Sequence, residues 1–170
     1  MNDYLKEHKI WWPVSPELMA GYRVGSHNRK DAMGSLVWRK NCQRHRGGDK
    51  PAWIYADGSL AWFKNDLCHR DGDKPAWISA NGDLEWCKNG LYHRDGDMPA
   101  KIYSNGRLQW WKNGKRHRTT GPAIIRPNNK REYWINGVEI TSEVKSWLKI
   151  RKYKYPFTFE QQVEFTLTFS

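Results

Sequence analysis

The chain has 170 residues, 38% hydrophobic and 14% aromatic, with 11 Trp and a formal charge of +11 from 29 Lys and Arg against 18 Asp and Glu. That length suits one modest core or a stack of small units. Low aliphatic content with so many Trp points to thin layers held together by large flat side chains.

The charge favours an acidic partner, whether nucleic acid, an acidic protein face or an anionic membrane, over a merely soluble basic surface. It is unevenly spread: residues 1–50 sum to +5, 51–98 to −3, 99–155 to +11 and 156–170 to −2. This argues against a uniform nucleic-acid stripe and puts any basic patch in the C-terminal half. Cys42, Cys68 and Cys87 are odd in number and lack a CxxC spacing, so they read as free thiols in a reducing compartment. Met1–Ile10 contains no signal-peptide run, and no stretch approaches a membrane span. The expected location is cytoplasmic.

In chain order, residues 1–33 are irregular and read as an N-terminal cap segment. Trp11-Trp12-Pro13-Val14 within it either folds back on the first hairpin or stands exposed. Residues 34–140 are an internal repeat. His-Arg recurs at His45, His69, His93 and His117, each step 24 residues. Pro-Ala follows at Pro51, Pro75, Pro99 and Pro122, and a Trp series runs Trp38, Trp62, Trp86, Trp110, with Tyr133 in the next place. Asp57-Gly58, Asn81-Gly82 and Asn105-Gly106 form one series of turn signals. Asn65-Asp66, Asn89-Gly90, Asn113-Gly114 and Asn136-Gly137 form another. Such self-similarity is the signature of a stacked repeat architecture.

Each unit reads as a β-hairpin. Asp57-Gly58 would supply the two positive-φ positions of a type I′ turn, and the flanks have β-branched and aromatic strand character. A two-residue loop predicts Trp53 opposite Trp62, Ile54 opposite Ala61 and Tyr55 opposite Leu60. One face then carries Trp53, Trp62, Trp77, Trp86, Tyr103 and Trp110 with Leu60, Leu84 and Leu108. The other carries Ile54, Ile78 and Ile102 with Phe63, Cys87, Trp111 and, more weakly, Trp134. Stacking of neighbours would bury what one hairpin cannot.

Residues 141–170 read as a helical and strand cap. Thr141 or Ser142 is the expected N-cap of a helix reaching Arg151, with Glu143 in its first turn. The alternating run Val163-Glu164-Phe165-Thr166-Leu167-Thr168-Phe169 reads as a closing strand. The expected architecture is therefore mainly β, an elongated single-sheet stack of 24-residue hairpin repeats closed by a short helix and strand.

Asn-Gly turns, spaced aromatics and the Gly-x-x-His step resemble the MORN repeat. The HRxxGPA form, nearest at Thr119-Thr120-Gly121-Pro122-Ala123, resembles divergent MORN-like proteins of phages and large DNA viruses. The resemblance covers about residues 34–140, with His-Arg standing where that family has His-Gly. It implies successive hairpins in a twisted sheet, a scaffold or binding role toward proteins or, in some members, lipids, and no catalytic residues.

The recurrence of His45, His69, His93 and His117 argues for structure, since a metal or acid–base site needs one constellation rather than four copies. Arg46, Arg70, Arg94 and Arg118 are expected to bridge to acids such as those of Asp71-Gly72-Asp73 and Asp95-Gly96-Asp97. Those DGD runs lack an EF-hand ligand set and read as turns. Cys68 and His69 are adjacent on a strand and should point to opposite faces. No nucleophile elbow, phosphate loop or paired zinc motif is present. The expectation is a non-enzyme without cofactor or metal.

Two functions compete. The first is a binding module, viral or phage in origin and acting in the host cytoplasm, that engages and inhibits a host or defence protein. Its aromatic face would be Trp53, Trp62, Trp77, Trp86, Tyr103 and Trp110. Sequence leaves open whether that ladder is interface or core. The alternative is a nucleic-acid binder contacting phosphates or an acidic partner through Lys112, Lys115, Arg116, Arg118, Arg126, Lys130, Arg131, Lys149, Arg151 and Lys152. Membrane attachment through Lys145–Tyr155 ranks below both, because no amphipathic helix of adequate length accompanies the charge.

Overall fold

A computed structural model describes Arg29, Lys30 and residues 33–170; the expectations for residues 1–28, including the Trp11-Trp12 segment, lie outside the described residues. The chain divides into two compact units between Leu91 and Tyr92.

Two kinds of hairpin alternate along the chain. In the first unit the main sheet is built from β1 (Arg29–Lys30), β2 (Leu36–Val37), β5 (Trp53–Ile54), β6 (Leu60–Ala61), β9 (Trp77–Ile78) and β10 (Leu84–Glu85), neighbours in that order and antiparallel in each pair described. Between its strands sit small side hairpins, β3 (Arg39–Lys40) with β4 (Gln43–Arg44) and β7 (Phe63–Lys64) with β8 (Leu67–Cys68). Strands β11 (Cys87–Lys88) and β12 (Leu91–Tyr92) follow. In the second unit the main sheet is β13 (Lys101–Ile102), β14 (Leu108–Gln109), β17 (Ile124–Ile125) and β18 (Arg131–Glu132). Its side hairpins pair β15 (Trp111–Lys112) with β16 (Lys115–Arg116), and β19 (Trp134–Ile135) with β20 (Val138–Glu139).

The side hairpins hold the two-residue type I′ turns: Asn65 and Asp66 have φ of 53° and 64°, and Asn113 and Gly114 have 50° and 77°. Their turn N–H groups tie each hairpin to the one before it. Asp66 N donates to Arg44 O, Gly90 N to Cys68 O and Gly137 N to Arg116 O, at 2.9–3.0 Å.

The main-sheet turns differ from the expected type I′. Gly58 N donates to Tyr55 O at 3.0 Å and Tyr55 N to Ser59 O at 2.8 Å, so the loop has three residues and ends on Gly58 at φ 93°. Asp57 earns its place by another route. Its carboxylate accepts the Ser59 N–H at 2.8 Å, as Asn81 accepts from Asp83 and Asn105 from Arg107.

The extra loop residue shifts the register by one: Trp53 lies opposite Ala61 and Ile54 opposite Leu60. A one-residue slip exchanges faces, and the predicted aromatic ladder splits. Leu60, Ile54, Ile78 and Leu84 are at most 4% exposed, and Trp38, Trp62 and Trp86 at most 6%, so the Trp series joins the Ile/Leu layer in the core of the first unit. In the second unit Ile102, Leu108 and Trp110 are likewise buried. Trp53, Tyr55 and Trp77 stand half-buried on the opposite side with Ala61 and Phe63.

The C-terminal cap is two helices, α1 (Thr141–Arg151) and α2 (Phe159–Phe169). Helix α1 ends at Arg151, as expected, but its N-cap is Ile140, with no side-chain cap bond. Thr141 Oγ1 instead accepts the Tyr133 N–H at 3.0 Å. The predicted closing strand is helix α2. Thr158 and Gln161 form a reciprocal capping box, and Phe165 and Phe169, four residues apart, both turn toward Trp147. Leu167, which strand alternation would have placed beside them, is 81% exposed. Phe165 and Val144 are fully buried in a cluster with Tyr133, Trp147 and Phe157 that closes the fourth hairpin. No helix among the described residues is long and apolar enough to cross a membrane.

Candidate partner-binding surface

The most repetitive residues are internal fasteners. Arg70 stacks on Trp62 with its guanidinium carbon 3.7 Å from the ring centroid, donates to Pro75 O at 3.0 Å, and pairs with Asp49 of the preceding repeat at 2.6 Å. Arg118 repeats the device on Trp110, Pro122 O and Asp97. Burial by itself would favour the neutral guanidine of Arg118, yet the Asp97 pair outweighs it and raises the pKa. Trp62 Nε1 and Trp110 Nε1 donate to the carbonyls of Asp49 and Asp97. Arg46 and Arg94 donate to Pro51 O and Pro99 O in the same way.

The histidines cap the side-hairpin turns. Nδ1 of His69, His93 and His117 accepts the backbone N–H of Asn89, Asn113 and Asn136 at 3.1–3.2 Å. Nε2 of His69 and His93 then donates to Asp71 and Asp95. An acceptor Nδ1 and a donor Nε2 define the neutral tautomer. Asp71 and Asp95 are thus partners of His, and Asp97 of Arg118. Among the described residues no group of three or more His, Cys, Asp or Glu is arranged to hold a metal ion.

Cys42, Cys68 and Cys87 are unbridged. A hydrogen bond with Cys87, and then burial, push the Cys68 thiol well above its ordinary pKa, away from a nucleophilic thiolate. An open groove of about 450 Å³ between residues 45–49 and 69–74 is crossed by its own pairs, Arg70 and Lys74 on Asp49 and His69 on Asp71.

The second side of each unit carries half-exposed aromatic side chains. In the first unit Trp53 and Tyr55 stack in parallel at 4.6 Å, and Tyr55 lies 5.2 Å from Trp77. In the second unit aromatic rings and cations form one continuous band. Arg107 lies over Tyr103, Lys101 bridges Tyr103 and Tyr92, Tyr92 meets Trp111, and Arg116 sits between Trp111 and Trp134 at 5.3 and 4.8 Å. All of these side chains are half-exposed.

Of the six aromatic residues expected at an interface, Trp53, Trp77 and Tyr103 are on this side, whereas Trp62, Trp86 and Trp110 are in the core. Tyr92, Lys101, Arg107, Trp111 and Trp134 were not among the expected contact residues. The Asx role of Asp57 and its equivalents, which implies a three-residue loop, was the signal that could have placed Trp111 and Trp134 here.

The ten basic candidates also separate. Arg118 is the buried clamp, Arg126 pairs with Glu132 at 2.6 Å and Arg151 with Glu164 at 2.6 Å. Arg131 lies over Tyr155. Lys112 and Lys115 oppose each other across one hairpin and are exposed, as are Lys130, Lys149 and Lys152. Arg116 alone of the ten belongs to the aromatic band.

No protein-family model matches the chain, and neither a curated protein nor a solved structure does.

Proposed function

We propose that this chain is a non-catalytic repeat binding module that captures a protein partner on the aromatic–cation band of its second unit. The observation that carries the reading is the band itself: Trp, Tyr and Arg, in mutual contact and half-exposed, have the composition of interface hot spots. The repeated His, Arg and Asp side chains, residue types that build reaction sites elsewhere, are engaged here in turns and clamps. The MORN-like resemblance, in the form found in phages and large DNA viruses, favours a host or defence protein as the partner and inhibition as the outcome.

The alternative of a nucleic-acid partner has the exposed Lys112–Lys115 pair in its favour. Its strength is reduced by the carboxylate partners of Arg118, Arg126 and Arg151.

The test is affinity capture from nuclease-treated host lysate, with wild type compared against Tyr103→Ser/Trp111→Ser. The reading expects a discrete protein retained by wild type after nuclease and lost by the double variant, with both proteins melting alike to within a few degrees. Loss of every partner after nuclease, or equal retention by both baits, overturns it.

A further inference from the structure

We infer that Arg116 is a carboxylate-binding site for an acidic side chain of a protein partner, taking the place that Asp66 fills beside Arg44 within the chain itself. The inference rests on the partner-binding reading above.

Arg44 and Arg116 hold the same position in their repeats. Each ends the return strand of a side hairpin, and its carbonyl accepts the N–H of the second turn residue of the following hairpin, Asp66 at 3.0 Å and Gly137 at 2.9 Å. Each guanidinium lies over the first aromatic ring of that following hairpin, Phe63 at 4.1 Å and Trp134 at 4.8 Å. At the first site the turn residue carries a carboxylate, and Asp66 Oδ1 accepts from both Arg44 Nε, at 2.6 Å, and Arg44 N, at 3.0 Å. At the second site the turn residue is glycine. The atom corresponding to the Asp66 donor, Arg116 Nε, is buried without a hydrogen-bond partner.

A shielded guanidinium N–H with no acceptor is costly, and a charge-assisted bond to a carboxylate is among the stronger ways to relieve it. The surroundings suit an incoming anion. Lys115 lies alongside, its side chain 3.6–3.7 Å from where a Cβ on residue 137 would be. Trp111 and Trp134 fix the guanidinium plane from two sides. A carboxylate is favoured over a phosphate because a carboxylate already fills the corresponding place in the first unit.

The experiment follows the Arg Nε–H signals of the full chain by NMR during titration with N-acetyl-hexaglutamate, and separately with hexathymidylate. The expected result is a saturable shift of the Arg116 signal with hexaglutamate, weakened at least tenfold in Arg116→Lys, which keeps the charge but loses the fork. Gly137→Asp should supply the carboxylate in cis, moving the signal before any probe is added and blocking the titration. The Cβ of that variant meets only ordinary contacts and Asp66 holds the same turn position at φ 64°, but Gly137 itself sits at φ 88°, so the aspartate strains the turn and a thermal melt must first show that the variant is folded. Asp66→Gly should open a second saturable site at Arg44. No saturable shift, equal titration of wild type and Gly137→Asp, or tighter saturation by hexathymidylate would each overturn the inference.

Lysate capture with Gly137→Asp as bait separates the two claims. A partner kept by Gly137→Asp but lost by Tyr103→Ser/Trp111→Ser removes the carboxylate site and leaves the binding module standing. A wild type that captures nothing removes the binding module whatever the titration shows.

Discussion

Replacing Trp62 by Ala should destabilise the chain far more than replacing Trp77 by Ala, although the two occupy comparable-looking positions in the repeat. Trp62 is 3% exposed, donates from Nε1 to Asp49 O, and supports the Arg70 guanidinium 3.7 Å from its ring. Truncating a buried Trp costs about 3–5 kcal/mol. The orphaned carbonyl adds roughly 1 kcal/mol, and the lost stacking about as much again. Because these act through one site they do not simply add, and a net loss of about 4 kcal/mol is expected. Against a total stability of about 5–15 kcal/mol, that is a large share. Trp77 is half-exposed and donates to the neighbouring Ser79, so its truncation should cost about 1 kcal/mol. Urea denaturation monitored by far-ultraviolet circular dichroism compares the two at constant m-value. If Trp77→Ala proved the costlier substitution, the register and the assignment of faces would both be wrong.

Two acid-sensitive groups give a pH profile with a definite sign. The hydrogen bond from Arg70, opposed by burial and reinforced by Lys74, lowers Asp49 from 3.8 to about 2. Its contribution is present above the unfolded value of 3.8 and is lost as pH falls toward about 2. Because the side chain is partly exposed, solvent screening leaves about 1 kcal/mol, which Asp49→Asn should remove from that window of an acid-denaturation curve. Burial, then Lys112, lowers His117 below 6.5, so its contribution is complete above 6.5 and declines as pH falls through that value. Melting temperature should therefore fall on acidification from pH 7, and less steeply in His117→Gln. In the cap, Phe165→Ala should cost about 3–5 kcal/mol while Leu167→Ala stays within about 0.5. Equal losses in thermal melts would restore a strand. Thr158→Ala should cost about 1 kcal/mol in the same melts by removing the α2 capping box.

Much of the architecture could be read from residue spacing. The 24-residue recurrence of His-Arg identified the units, and the second series of turn signals located the turns of the side hairpins, where the type I′ geometry expected at Asp57-Gly58 is found instead. Helix α1 reaches Arg151, as expected from the sequence. Register was not legible by the same reasoning, because Asp-Gly satisfies two turn chemistries. In one, both residues take positive φ. In the other, Asp57 accepts an N–H through its side chain and only Gly58 turns left-handed. The difference is one loop residue, and with period-two strands one residue reverses every side chain. That is why the expected aromatic face divides: Trp53, Trp77 and Tyr103 were placed with tryptophans that are buried, while Trp111 and Trp134 were assigned to the opposite face. The α2 error has a similar origin, since Phe165 and Phe169 share a face at both strand and helix spacing. Only the Thr158–Gln161 capping pair tells the two apart.

The most direct test of the surface assignment is site-specific photo-crosslinking in nuclease-treated host lysate, with benzoylphenylalanine in place of Tyr103 in one bait and of Ser146 in another. Tyr103 lies in the aromatic–cation band, whereas Ser146 is exposed on α1. The account predicts a discrete protein adduct from position 103 and none from position 146. Adducts confined to position 146, or nucleic acid as the crosslinked species from both positions when nuclease is omitted, with no protein adduct at 103, would contradict it.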